Sequence, residues 1–204
     1  MSDRIDVTGT GTAEVRPDQL VARLGAETVG PDVSGVLAAA EAGSRAMADA
    51  ARAKGLGDAD LRTEGMSLGQ HFDHQGQPSG YRAWLGLTVS LRDLRTAGAV
   101  LGEVLAAGGD AARMLDVSLA VSDRSAATHA AREAAVADAR AQAQHLAALA
   151  ERPLGVVRRL STVSSPGHPV AYAMAAASRT SAAVPVEAGE TTVTVSVHAR
   201  FDLG

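Results

Sequence analysis

Segments that alternate with a period of two come in pairs along this chain, and the segments between the pairs repeat at helical spacing; no other feature restricts the fold as much. Ile5, Val7, the run Thr8-Gly9-Thr10-Gly11-Thr12 and Val15 read as a strand, stopped at Arg16-Pro17-Asp18 because proline donates nothing to a ladder. Residues 20–29 set Leu20, Ala22, Leu24 and Ala26 against Val21, Arg23, Gly25 and Glu27, a second strand expected to close a hairpin with the first. Over 32–54 the period changes: Val36, Ala40, Met47 and Ala51 share a helix face, Asp32 or Ser34 can cap its start, and Gly55 and Gly57 end it. Strands at 61–72 and 81–92 flank a turn, a helix over 94–107 closes on Gly108 and Gly109, and 115–121 is a fifth strand. The longest helix starts at Asp123 or Ser125, either of which can cap it, and ends near Ala150 ahead of Pro153; strands over 154–163 and 191–203 complete the chain. The order β-β-α-β-β-α-β-α-β-β departs from regular βα alternation. It predicts a single α+β domain over 1–204, with a largely antiparallel sheet of strand pairs packed against about three helices.

Between residues 126 and 150 the only large aliphatic side chains are Val136, Leu146 and Leu149, so the buried face of this helix is mostly methyl groups. Small side chains allow close approach to a sheet, but each contributes less than the roughly 1.5–3 kcal/mol of a buried leucine or valine. Burial between subunits is one physical answer, and the segment 165–186, rich in Pro, Ser and Ala, is read as an extended arm or loop. At about 3.3 Å per residue it reaches roughly 70 Å when extended. Tyr172, Met174, Val184 and Val186 are its candidate interaction residues, stiffened by Pro166 and Pro169; a plain surface loop is the competing reading.

Nineteen basic and twenty-three acidic side chains give a net charge of −4 with no basic run, and few aromatic side chains are available for base stacking, so no nucleic-acid partner is expected. The absence of cysteine removes disulfides, thiolate metal sites and cysteine nucleophiles together. The weakly polar stretches 97–107 and 170–177 are too short or interrupted to span a bilayer. The start, Met1-Ser2-Asp3-Arg4-Ile5-Asp6, lacks a charged region followed by an apolar run, so the cytoplasm is the expected location; a processed N-terminus leaves the periplasm or secretion open.

Gly65-Met66-Ser67-Leu68-Gly69 spells a nucleophile elbow, but a strand and turn follow where that motif needs a helix. His71, Asp73 and His74 form the densest set of candidate metal ligands, although on a strand the two histidines point to opposite faces, and a polar hairpin tip is the simpler reading. His129 and Glu133 read as an exposed i,i+4 pair. Gly9-Thr10-Gly11-Thr12 is half of a dinucleotide fingerprint with Glu14 at the third glycine position and no helix after it; no cofactor is expected.

Taken in order, Val7-Thr8-Gly9-Thr10-Gly11 with Pro17-Asp18, Gly55-Leu56-Gly57 with Leu61-Arg62-Thr63, and Gly80-Tyr81-Arg82-Ala83 leading into Leu87-Thr88-Val89 resemble the SIMPL-domain family. Gly108-Gly109, Ala131-Arg132-Glu133-Ala134-Ala135, Ala137-Asp138-Ala139-Arg140, and Pro185 with Gly189-Glu190 before the last strand extend the resemblance over essentially the whole chain. It implies a domain of strand pairs and helices in a family whose bacterial members are often periplasmic or cell-surface immunogens that form large ring- or barrel-like assemblies. Others are tied to oxidative-stress tolerance, and an animal member to a signalling kinase. No shared catalytic residue set comes with the resemblance. The expected function is therefore a non-enzymatic, self-associating protein, an oligomeric scaffold or channel-like assembly linked to stress tolerance. A small-ligand or metal-binding module at His71, Asp73 and His74 is the alternative, and a serine hydrolase using Ser67 is the second alternative.

Overall fold

Along the chain run β1 (Arg4–Val15), β2 (Gln19–Gly30), α1 (Val33–Ala53), β3 (Leu61–Phe72), β4 (Pro78–Leu91), α2 (Leu94–Ala107), β5 (Ala112–Ala120), α3 (Ser125–Leu149), β6 (Leu154–Val163) and β7 (Thr191–Leu203) in the computed structural model. It describes residues 3–163 and 189–204. The arm residues Pro166, Pro169, Tyr172, Met174, Val184 and Val186 lie outside the described residues. The fold is α+β and antiparallel throughout, in the expected order. Its strands divide between two sheets, β1-β7-β6 and β3-β4-β2-β5.

The expected β1–β2 hairpin does not form: β1 pairs with β7 from Arg4↔Asp202 to Val15↔Thr191, while β2 lies between β4 and β5. Packing partners decide this. The inward row of β2 carries leucine and must lie under large side chains, whereas the inward row of β1 carries Gly9 and Gly11 and accepts only a helix stripped to methyl groups.

One compact unit holds 18–120. In it Leu20, Ala22, Leu24 and Ala26 of β2 join Leu87, Val89 and Leu91 of β4, covered by Met47 and Ala51 of α1 and by Ala97, Leu101 and Val104 of α2. The Asp32 carboxylate accepts from the Gly35 N–H at 2.8 Å at the start of α1, and Asp93 accepts from the Arg95 N–H at 3.1 Å at the start of α2.

The other unit holds 3–17, 121–163 and 189–204 among the described residues. Here α3 buries Ala127, Ala131, Ala135, Ala139, Ala143 and Ala147, one residue in every four. A Cβ at Gly9 would lie 2.1 Å from the Ala135 carbonyl oxygen, and one at Gly11 would lie 2.1 Å from that of Ala131. Helix backbone therefore rests on strand backbone. The outer edge of β1 is also occupied: the Thr10 N–H donates to Asp138 Oδ2 at 2.8 Å, and Gln142 Nε2 donates to the Thr8 carbonyl at 3.3 Å. Among the described residues no helix is long and apolar enough to cross a membrane.

Candidate functional site

Beyond its first four residues, β3 leaves the cover of the helices. A bulge between Glu64 and Met66 inserts Gly65, whose φ of 65° lies in the left-handed region that glycine enters without strain. From there to the tip, every residue of β3 except the half-buried His71 is exposed, with Met66, Leu68 and Phe72 solvent-accessible at 67%, 44% and 51%. Alternation places those three on the face that also carries Tyr81 and the buried Ala83. The tip is held by Asp73, whose Oδ1 accepts from the N–H groups of Gln75 and Gln77 at 2.8 and 2.9 Å. In the sheet order β3 is an edge, hydrogen-bonded to β4 alone, and β5 is the opposite edge.

Along the free edge of β3 runs an open recess of about 410 Å³ lined by Ser67, Leu68, Gly69, Gln70, His71, Phe72 and Arg82. Gly69 sits opposite Arg82, and a Cβ at this position would meet nothing within 4 Å, so the row Ser67, Gly69, His71 has a notch at its centre. Arg82 Nη2 lies 3.0 Å from His71 Nδ1. Because a guanidinium only donates, His71 Nδ1 is the accepting side of this contact. Arg82 makes no ion pair among the described residues, and no acidic residue lines the recess. The notch therefore presents donors and positive charge, which suits a carboxylate.

Further down the same face the charges are satisfied. Glu64 accepts from Arg23 Nε and Arg62 Nη2, both at 2.9 Å. The Thr88 hydroxyl and the guanidinium groups of Arg23 and Arg62 together hold Glu64 down at about 2, against an ordinary value of 4.5. A depressed carboxylate contributes stability that is present above its unfolded value and lost as pH falls through the folded one. Replacing Glu64→Gln should lower the urea midpoint at neutral pH, and the gap between variant and wild type should close as pH falls from 4.5 to about 2, while Asp6, Asp32 and Asp93, also held below the ordinary carboxylate range, make both proteins lose stability in acid.

Ser67 lies in mid-strand with no helix after it, and His71 is four strand residues away, about 13 Å along the strand. The structure does not bring those two together. Of the candidate ligands, Asp73 is occupied by the tip's backbone amides and His71 by Arg82; among the described residues no three His, Asp or Glu side chains are placed to hold a metal ion. His129 and Glu133 are exposed on α3. Sequence reasoning missed Arg82, Gly69 and the apolar row Met66, Leu68 and Phe72. The available signal was that row's alternation in a strand with no helical segment left over to cover it.

The comparisons with known proteins agree on one family. Residues 5–201 match the model of SIMPL, described as a protein of unknown function (DUF541). The 26 kDa periplasmic immunogenic protein of Brucella melitensis biotype 1 is 31% identical over 215 residues, covering 98% of this chain and 84% of the relative. Its counterpart from Brucella abortus has the same identity and coverage. With a model match over nearly its whole length and relatives of this similarity, the chain belongs to the SIMPL family.

Proposed function

We propose that this protein is a non-catalytic, self-associating component of the bacterial periplasm, a scaffold built from copies of itself. The observation that carries the reading is the β3 edge, a long strand with one ladder open and Met66, Leu68 and Phe72 exposed on it. Natural sheets blunt such edges with charge, proline or a covering element, as Asp138 and Gln142 do for β1. An uncovered apolar edge is a template for another chain. The periplasmic location is supported by the names of the Brucella relatives and replaces the cytoplasmic expectation.

Light scattering on the intact chain tests the proposal. A discrete oligomer is expected, and Leu68→Lys together with Phe72→Lys should weaken it at least about tenfold, because two charges would then be buried in the contact. A monomer at all concentrations would overturn the reading. The arm stands as a second proposed contact: Tyr172→Ala with Met174→Ala should lower the association constant if it takes part, and unchanged sedimentation would remove it.

A further inference from the structure

We infer that copies join edge to edge, β3 of one to β5 of the next, with Asp116 of the second copy entering the Gly69 notch against Arg82 of the first. This rests on the self-association reading and names its surfaces. Three independent features of the four-stranded sheet point to it. The first is direction. Each strand in the order β3-β4-β2-β5 is antiparallel to its neighbour, so a second sheet continued past β3 presents its β5 antiparallel to β3. Pairing then extends without reversing either sheet.

The second is facing. Asp116 stands opposite Arg23, and Arg23 stands opposite Thr88, which stands opposite Arg62; these residues share the sheet face that also carries Gly69 and Arg82. Continuing the sheet keeps that face common, so the carboxylate and the guanidinium meet on one side. The third is chemistry. Arg23, the cross-strand neighbour of Asp116, gives its Nε to Glu64 at 2.9 Å, and Asp116 makes no ion pair among the described residues. The β5 edge is apolar beside that charge, with Met114 52% and Leu115 58% exposed, matching Leu68 and Phe72 beside Arg82. A bulge between Arg23 and Leu24 in the β2–β5 ladder sets Leu115 out of register and leaves Asp116 on its face. Two different patches of one chain make a heterologous contact, which closes into a ring or runs on as a filament according to the rotation between copies.

Charge reversal decides it. Arg82→Glu and Asp116→Arg should each lower the association constant about tenfold or more, since each places like charges together. The double variant, and an equimolar mixture of the two single variants, should recover the oligomer, because every junction then pairs opposite charges. Far-ultraviolet circular dichroism on each variant establishes that it is folded. A wild-type oligomer that ignores both reversals, or is not recovered by the double variant or the mixture, overturns the β3–β5 contact and leaves self-association standing. A wild-type monomer overturns the self-association reading itself.

Discussion

Gly11→Val should push α3 away from the sheet beneath it and strongly destabilise the unit that contains them. A Cβ at this position would lie 2.1 Å from the Ala131 carbonyl oxygen and 2.3 Å from the Ala135 nitrogen. Both are backbone atoms of a 25-residue helix, so no rotamer change relieves the overlap. Overpacking where side chains can yield costs about 1–3 kcal/mol; here the helix must move as a body, and a loss above about 4 kcal/mol is expected. In a chain of this size that corresponds to a fall of about 10 °C or more in the thermal midpoint followed at 222 nm. Ala134→Leu, on the exposed side of α3, is the control and should change the midpoint by less than about 2 °C. Equal effects from the two substitutions would refute close backbone packing as the reason for glycine in β1.

Gly25→Val is expected to be nearly as damaging to the four-stranded sheet, and it can be read where it acts. The Trp84 ring lies over Gly25, so that a Cβ there would be 2.7 Å from Cη2 and Cζ2 and 2.3 Å from the Leu85 carbonyl oxygen. Trp84 is the single tryptophan of the chain, and its emission therefore reports this sheet alone. The substitution should shift emission to the red at neutral pH and lower the urea midpoint by an amount corresponding to about 3–4 kcal/mol. Introducing Gly25→Val into a Trp84→Ala background, followed by circular dichroism, removes the ring contact but not the carbonyl contact. The added cost should then shrink to roughly half, a coupling expected of residues in direct contact. Strict additivity would mean that the ring does not constrain this glycine.

Most of the element order was legible because it depends on local periods. Leu20, Ala22, Leu24 and Ala26 alternate, Val36, Ala40, Met47 and Ala51 do not, and each set is buried as its period requires. Strand partners were less legible. The Thr-Gly alternation of β1 suits any antiparallel neighbour, and Gly9 and Gly11 read as half of a nucleotide loop when their use is to admit the backbone of α3, more than a hundred residues later. The candidate contact was hidden for another reason. Met66, Leu68 and Phe72 spell a buried row, and whether such a row is covered depends on where the helices lie: α1 packs Val36 and Ala40 onto Ala83 of β4 and leaves the outer part of β3 bare. The Gly69 notch likewise exists only through the β3–β4 register that sets it beside Arg82. Asp32 was legible as a cap, since capping needs nothing beyond four consecutive residues.

The alanine stripe and the two strand glycines also amount to a pair of matched rulers. Two residues of strand advance about 6.7 Å. Four residues of helix advance about 6.0 Å along the axis, or about 6.7 Å along an i,i+4 row inclined by roughly 26°. Gly9 meets Ala135 and Ala139, and Gly11 meets Ala131 and Ala135, so one graduation of the strand is one graduation of the helix, counted in opposite directions. Insertions and deletions in this unit are thereby quantised. A single residue added within β1 or α3 throws every later graduation out of step, whereas two added to the strand together with four added to the helix lengthen both rulers by one mark and leave the fit intact.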